Sequence, residues 1–294
     1  VGYPGYADIV LARLLNLFSH RLLVLVSFLS LYDTAVLDRG QGEKGSLRAR
    51  FLYAIDRLAF RSADWVLVDT NALTAYYAEL FELPLSKFRK SLVGNVFDVY
   101  EPAEVKRSKG RFRVLFFGTY VPLQGAEYIV AAAEHLREEE VEFEMVGSGQ
   151  QYEAVRRRAE AGQLKKVHFA DEWYSVEQLA ERMRCADICL GIFGTTAKAA
   201  RVIPYKVFGA LALRRPVITR DSPAIRELLA DGESVQLCRA GDGQALAEAI
   251  ETLRRDPALA ARLAQEGYEC YRRQASAEAI GRDLYSALEH AGAA

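Results

Sequence analysis

The sequence lacks the features of membrane-spanning, disulfide-stabilised and zinc-binding proteins. It has only four cysteines in 294 residues. They form no Cys-x-x-Cys pair and have no histidine at zinc-ligand spacing, so we expect small apolar side chains in a reducing compartment. No signal peptide is evident, and no uninterrupted apolar run reaches the ~18 residues that cross a bilayer. These absences predict a cytoplasmic protein and leave open peripheral contact with the inner face of the membrane.

An excess of charge of either sign is also missing. The 38 basic and 39 acidic side chains give a net charge of -1. No overall field therefore favours nucleic acid, no nucleic-acid partner is expected, and any bound phosphate must be held locally. The apolar fraction of 51% and the charged fraction of 26% are those of an ordinary globular protein, with material for one large domain or two smaller ones.

The second part of the chain alternates short β-rich runs with amphipathic segments, which is the pattern of a parallel sheet with crossover helices. Helices such as 127–137 and 175–186 lie between the runs. Six strands are predicted, and with right-handed crossovers they complete one doubly wound sheet. These strands cover residues 112–118, 141–147, 166–170, 188–193, 216–221 and 234–239.

The first part shows the same alternation over fewer elements. Strands fit only at 21–30, 65–69 and 90–93, with a stub at Val1, and helices fit at 7–18, 46–62 and 71–83. Such a sheet lacks its first βα unit and exposes an apolar edge, which predicts either low solubility or pairing with a second copy in a homo-oligomer. The sequence predicts an α/β protein of two Rossmann-like doubly wound domains. An incomplete domain spans 1–105, a complete one spans 106–275, and a closing helix at 276–294 crosses back to the first.

A phosphate site is predicted at the carboxyl ends of the second sheet's strands. Turns at Gly118-Thr119 and at Gly147-Ser148-Gly149 end two strands there, where glycine lets the backbone approach a ligand closely. A helix that begins after Pro204 would point its N-terminal N–H groups and Lys206 at the same place. Arg201, just upstream, could add a bidentate contact. The alternatives are simple turn chemistry for the glycines and solvated side chains for the two cations.

The segment around that helix also carries a family resemblance. The run from Ile203 to Ala212, which closes on Pro216-Val217-Ile218, resembles the donor-site helix and following strand of the family-four glycosyltransferases. Other pieces match in the same order; they are Val93-Gly94-Asn95 and Phe97-Asp98, where the family places its interdomain crossing, and Phe117-Gly118, Gly125, Val146-Gly147-Ser148-Gly149, Ala186-Asp187, Asp231-Gly232, Asp242 and Asp256-Pro257.

The resemblance implies the two-domain GT-B fold and a nucleotide-sugar as substrate. The implied reaction moves a sugar, with retention of configuration, from a UDP- or GDP-sugar to a hydroxyl of a sugar or lipid-linked acceptor. Cell-surface polysaccharide or glycolipid synthesis is the expected setting. Because cationic side chains can stabilise the departing diphosphate, neither a metal nor a separate cofactor is expected.

The chain departs from the family at four positions. The family places an arginine and a lysine in the loop after the first donor-domain strand, and these positions are Thr119 and Gln124, which remain among the expected donor contacts. It places a Glu-x7-Glu pair around the donor helix, and these positions are Arg201 and Gly209. We interpret the chain as a branch in which Arg201 and Lys206 hold the diphosphate. The alternative is a degenerate donor site, and hence a nucleotide-sugar-binding pseudoenzyme or subunit that is inactive as this truncated chain.

The remaining donor contacts follow the family's arrangement. Trp173 comes after the strand at 166–170, where family members hold the nucleotide base. It could stack on the base while the backbone of Asp171 and Glu172 reads the base edge. Pro204 and Tyr205, at the start of the donor helix, are expected beside the diphosphate. The alternative for the aromatic residues is packing under a loop.

The acceptor is expected at the strand ends of the first domain, where the candidates are Tyr3, Tyr6, Tyr32 and Asp33. Asp33 could bind or deprotonate an acceptor hydroxyl, which would make it a catalytic residue together with Arg201 and Lys206. Its alternative is a turn or helix cap. No histidine lies in these loops, and a nucleotide-sugar epimerase would need one together with several carboxylates. A phosphorylase of the same fold remains a further alternative.

Overall fold

The computed structural model describes residues 1–2, 4–99 and 110–292. The chain divides into two compact units, Val1–Val93 and Gly94–Ala294. The division falls before the predicted boundary at 105/106, and the residues around that boundary lie outside the described part, so the boundary itself stays a prediction.

The first unit is a parallel three-stranded sheet with helices before and between its strands. The strand order is β1-β2-β3, which is also the chain order. The elements are α1 (Tyr6–Leu15), β1 (Val24–Val26), α2 (Leu47–Ser62), β2 (Trp65–Val68), α3 (Asn71–Phe81) and β3 (Phe88–Lys90). The predicted stub at Val1 forms no strand, although its carbonyl accepts a hydrogen bond of 2.9 Å from the amide of Val26, the last residue of β1.

Local sequence explains where these helices begin and which face they bury. The side chain of Ser46 caps α2 by accepting from the amide of Ala49, and Thr70 caps α3 in the same way. The inner faces of α1, α2 and α3 meet the sheet in one core. Its centre is aromatic, with the Phe60 ring lying edge-on to that of Phe81 at 5.0 Å between centroids.

The second unit contains the complete doubly wound sheet that the alternation predicts. All six strands are parallel, in the order β6-β5-β4-β7-β8-β9. The strands are β4 (Phe112–Phe117), β5 (Val141–Val146), β6 (Val167–Ala170), β7 (Ile188–Leu190), β8 (Val217–Arg220) and β9 (Gln236–Cys238). The strand order reverses between β4 and β7, which is where an open α/β sheet binds its ligands.

Seven helices surround this sheet in the described part of the second unit. They are α4 (Ala126–His135), α5 (Tyr152–Ala161), α6 (Val176–Cys185), α7 (Tyr205–Ala212), α8 (Gly243–Arg255), α9 (Pro257–Gln274) and α10 (Ala277–Gly292). The closing helix α10 packs against α9. Its predicted crossing to the first domain stays a prediction.

The cysteines agree with the sequence expectation except at one position. Cys189, Cys238 and Cys270 are buried free thiols, whereas Cys185 is exposed at the end of α6. Within residues 1–2, 4–99 and 110–292, no helix combines the length and the apolar character needed to cross a membrane.

Candidate functional site

Backbone hydrogen bonds connect neighbouring strands at the carboxyl ends of β4, β5 and β6. The amide of Gly118, just after β4, donates to the carbonyl of Val146 at 3.0 Å. The amide of Gly147, just after β5, donates to the carbonyl of Ala170 at 2.7 Å. The two predicted phosphate turns therefore lie side by side at one edge of the sheet.

This close approach requires glycine. Gly147 has a φ of +116°, and a Cβ atom placed on it would lie 2.1 Å from the carbonyl oxygen of Gly118. A Cβ on Gly149 would lie 2.7 Å from the amide nitrogen of Tyr120. Thr119 and Ser148 are exposed at these turns. The glycines thus allow the close packing of the two turns, and the exposed turn residues form the rim of the site.

Lys206 joins the two sides of the strand-order reversal. It is buried in the first turn of α7, and its ammonium nitrogen Nζ donates to Oε1 of Gln124 at 2.5 Å. The same atom lies 3.8 Å from the centre of the Phe116 ring. A Cβ on Gly118 would lie only 2.7 Å from Nζ. The predicted donor residues Gly118, Gln124 and Lys206 are therefore in contact, although 82 residues separate Gln124 from Lys206.

The electrostatics of this site favour an incoming anion. Burial lowers the pKa of the Lys206 amine well below its ordinary value, because the charged form loses its hydration. The first turn of α7 adds amide groups and the positive end of the helix dipole. A diphosphate would supply the missing counter-charge and restore the charged ammonium. The arrangement can thus stabilise negative charge on a phosphate oxygen.

Arg201 lies on the approach to the same helix. Its amide donates to the carbonyl of Lys198 at 2.9 Å and closes a 3-10 turn at Lys198–Ala200. Its side chain is half-buried. The contact of Arg201 with phosphate remains a prediction.

An aromatic ring packs at the second of the missing carboxylate positions. A Cβ on Gly209 would lie 2.8 Å from Cδ2 of Phe97, which is itself buried. The hydroxyl of Tyr205 accepts a hydrogen bond of 2.9 Å from the amide of Val96. Tyr205, predicted beside the donor, is therefore also engaged with the segment that carries Phe97. The sequence analysis predicts no contact between Phe97 and Gly209, because the two positions are far apart in the chain.

The predicted base-binding loop is open to solvent. Trp173 is 100% exposed, and Asp171 and Glu172 are also exposed. Tyr174 instead packs beneath Arg182, whose guanidinium carbon lies 4.0 Å from the ring centre. The alternative of packing against the protein thus describes Tyr174, whereas the side chain of Trp173 is accessible to a ligand.

In the first unit, the candidate catalytic carboxylate is enclosed. Asp33 is fully buried, its amide donates to the hydroxyl of Ser30 at 2.9 Å, and its Oδ1 accepts from Tyr76 at 3.1 Å. Ser30, and not Asp33, therefore caps this turn, while the Asp33 carboxylate is held by Tyr76 from α3. Its predicted contact with an acceptor would require these hydrogen bonds to rearrange.

The residue that organises this loop is Asp56, which the sequence analysis did not identify. From the inner face of α2, it accepts hydrogen bonds from the Ser30 hydroxyl at 2.6 Å and from the Tyr32 amide at 2.8 Å. Burial raises its pKa to about 6, against the opposing effect of these donors. The available signal was one charged residue among the apolar positions on the inner face of α2.

Two of the other acceptor candidates, Tyr6 and Tyr32, also make contacts within the first unit. The buried Tyr6 donates its hydroxyl to the carbonyl of Leu29. The half-buried Tyr32 ring lies edge-on to Tyr53, with 5.6 Å between centroids. Tyr3 lies outside the described residues. The roles of all three towards an acceptor remain predictions.

Comparisons with known proteins agree with this geometry. Residues 111–256 match the family model described as glycosyl transferases group 1. A phosphatidyl-myo-inositol mannosyltransferase of Mycobacterium leprae is 32% identical over 164 residues, which cover 54% of this chain and 42% of that protein. The chain spans less than half of the length of the curated relatives it matches.

Solved structures share the fold. Anabaena HepE in complex with UDP superposes with a TM-score of 0.77 at 17% identity, over 97% of this chain and 77% of that one. Sucrose-phosphate synthase from Thermosynechococcus elongatus gives a TM-score of 0.77 at 19% identity, over 99% and 73%. These likenesses confirm the predicted α/β fold class of GT-B type.

Proposed function

Starting from the group 1 glycosyltransferase similarity of residues 111–256, we propose that the chain transfers a sugar from a nucleoside diphosphate sugar to a hydroxyl group. The donor is a UDP- or GDP-sugar, and the accepting hydroxyl belongs to a sugar or a lipid-linked acceptor. Transfer proceeds with retention of configuration, in the synthesis of a cell-surface polysaccharide or glycolipid. A mannosyltransferase relative named for a phosphatidylinositol acceptor and a UDP complex of a structural neighbour support this class.

The contact between Lys206 and Gln124 is the observation that carries the proposal. Gln124 stands where the resembled family has a cation, and the structure brings the Lys206 ammonium within 2.5 Å of its side-chain oxygen. A cation from the donor helix thus lies beside the loop that has lost its own. In this proposal, Lys206 supplies the positive charge at the diphosphate from a different element of the fold.

The site would act mainly through electrostatics. As the bond to the sugar breaks, negative charge develops on the departing diphosphate, and preorganised donors lower the barrier at that moment. Lys206 and the N-terminus of α7 supply this stabilisation, Arg201 adds a second cation, and Trp173 stacks on the base. Among the described residues, no group of three His, Cys, Asp or Glu side chains is placed to hold a metal ion. Metal independence is tested by activity in the presence of a chelator.

A second candidate is a protein that binds nucleotide-sugars without transferring them. Two observations favour it. The position of a family carboxylate is Gly209, against which Phe97 packs closely, and Asp33 is enclosed in hydrogen bonds. Binding through Lys206 could persist in such a protein while the acceptor is never activated.

Calorimetric titration with UDP, GDP and their sugars, followed by a nucleotide-release assay with candidate acceptors, separates the two candidates. Acceptor-dependent release supports transfer, whereas binding without release supports the second candidate. Absence of nucleotide binding contradicts both. The anomeric configuration of the product, read by NMR, tests retention.

The matched variants are Lys206→Met and Lys165→Met. Lys165 is an exposed lysine of the same unit, so its loss controls for a general change in charge. Only the Lys206 variant should weaken diphosphate binding. Equal effects of both variants would contradict a specific phosphate contact.

A further inference from the structure

Buried polar contacts close the loop that follows β1. The Asp56 carboxylate, on α2, accepts hydrogen bonds from the Ser30 hydroxyl at 2.6 Å and from the Tyr32 amide at 2.8 Å. It also accepts one from the Leu31 amide at 3.1 Å. The Ser30 hydroxyl in turn accepts from the Asp33 amide at 2.9 Å. One hydroxyl group thus connects two aspartates that are both fully buried.

The backbone that follows Ser30 is wound more widely than an α-helix. Residues Asp33–Asp38 form a π-helix, and the amide of Arg39 donates to the carbonyl of Thr34, five residues back, at 3.1 Å. Such turns are rare and frequently lie at functional sites. This stretch, residues 30–38, is called the 30–38 loop below. It carries Asp33, whose carboxylate is enclosed in the closed state of the loop.

The electrostatics of the closed loop bind a proton. Burial, supported by the like charge of Asp33, raises the pKa of Asp56 to about 6 against the effect of its hydrogen-bond donors. Arg57, the next residue, is engaged with Glu82 instead. The other titratable groups around the two carboxylates are phenols and one further acid, namely Tyr6 from α1, Tyr76 and Tyr77 from α3, and Asp69 after β2. The closed loop therefore holds a proton that a hydrated aspartate would have lost.

We propose that Asp56 and Ser30 form a proton-dependent latch on the 30–38 loop, which is closed while Asp56 is protonated and released when Asp56 ionises. The closed loop deprives the carboxylate of water, and opening hydrates it, so loss of the proton to solvent favours the open state. Opening also separates Asp33 from the hydrogen bonds of Ser30 and Tyr76 that enclose it. The open loop is then the state in which Asp33 meets an acceptor hydroxyl, a consequence that rests on the proposed function.

Hydrogen exchange of the full chain tests the latch without any substrate. The Asp56 pKa is about 6 in the closed loop and about 4 for a hydrated aspartate. Opening should therefore be about tenfold more favourable at about pH 7.5 than at about pH 5. After correction for intrinsic exchange, the protection of amides in the 30–38 loop should fall by this factor. The amides of β2 need a larger unfolding and should keep a higher protection at both pH values.

Three substitutions assign the change to the latch. Asp56→Asn keeps the size of the side chain and cannot ionise, so the loop should show the same protection at both pH values. Asp33→Asn removes the neighbouring negative charge and should reduce the change. Glu79→Gln is the matched control, because it removes an exposed carboxylate of α3, and it should retain the full change. Circular dichroism establishes that each variant is folded, and the unmodified chain at two pH values tests the latch even where a variant does not fold.

The consequence for transfer is measured in the nucleotide-release assay at saturating donor. Since only the open loop presents Asp33, the acceptor KM of the unmodified chain should fall about tenfold between about pH 5 and about pH 7.5, and that of Asp56→Asn should stay high. Donor affinity, measured by calorimetry, should be the same for both proteins. An active enzyme whose acceptor KM is equal in the two proteins would contradict the link between the latch and Asp33. If the chain transfers no sugar, the proposed function fails, while hydrogen exchange still decides the latch.

Three outcomes of the exchange experiment would overturn the latch. The first is equal protection of the 30–38 loop at both pH values in the unmodified chain, and the second is the same fall in protection in Asp56→Asn. The third is equal protection of the loop and of β2, since the loop would then open only when the whole unit unfolds.

Discussion

Replacing Lys206 by methionine should stabilise the ligand-free protein and lower its affinity for a nucleoside diphosphate. Methionine keeps the unbranched stem that packs against Phe116 and removes only the ammonium group. The buried amine has one acceptor among the described residues, Oε1 of Gln124. Burial of an incompletely paired polar group costs about 1–3 kcal/mol, while the lost hydrogen bond contributed ~1 kcal/mol. The difference leaves the variant more stable to unfolding in urea by up to about 2 kcal/mol.

The pH dependence has a defined sign. The pKa of Lys206 is lower in the folded protein than in the unfolded chain, so between these two values the unfolded chain holds a proton that the folded protein lacks. Stability conferred by this group therefore rises with pH across that window. Lys206→Met should remove this slope. The unmodified protein should also take up a proton when a diphosphate binds, so its affinity should fall as pH rises.

Loss of a charge-assisted hydrogen bond to phosphate costs about 1.5–3 kcal/mol, which is a tenfold to hundredfold weaker affinity. Calorimetry with UDP and GDP, in buffers of different ionisation enthalpy, measures both the affinity and the proton uptake. Lys165→Met should match the unmodified protein in every measurement. A Lys206 variant that is less stable and binds diphosphate normally would refute the reasoning.

Three further predictions follow from close contacts. Gly147→Ala should destabilise the second unit by about 1–3 kcal/mol and abolish nucleotide binding, measured by urea unfolding and calorimetry, because its Cβ would lie 2.1 Å from a carbonyl oxygen. Burial raises the pKa of Asp56 to about 6, so between about pH 4 and 6 the folded protein holds a proton that the unfolded chain has lost. The stability of the unmodified protein should therefore fall by ~3 kcal/mol as pH rises through this range, and Asp56→Asn should remove that fall. Identical pH profiles of unfolding for the two proteins would contradict this. Gly209→Ala should lower the Tm because its Cβ would lie 2.8 Å from the Phe97 ring, and Phe97→Leu in the same chain should reduce that penalty in a double-mutant cycle.

The elements of the second unit could be predicted from sequence because each depends on local pattern. Six apolar runs separated by amphipathic segments became the six parallel strands. In the first unit the third strand was placed too late, at 90–93, while β3 runs from Phe88 to Lys90. Phe88 is buried in the aromatic core, and this long-range contact decided the strand position over local preference.

The candidate site divides in the same way. Glycine turns at strand ends and a lysine at a helix start are local features, and the structure brings Gly118, Gly147 and Lys206 to one edge as expected. The interactions of Asp33 were not predictable, because its enclosure depends on Tyr76 from another helix.

The sequence by itself determined the order of strands and helices, the turns that need glycine, and the cations available to a phosphate. Each of these follows from neighbours within a few residues, through periodicity, backbone freedom and side-chain chemistry. Only the tertiary structure decided which residues meet. It brought Lys206 into contact with Gln124, Phe97 into contact with Gly209, and Ser30 into contact with Asp56. Such contacts arise from the packing of distant elements in a shared core, and local sequence carries no record of that packing.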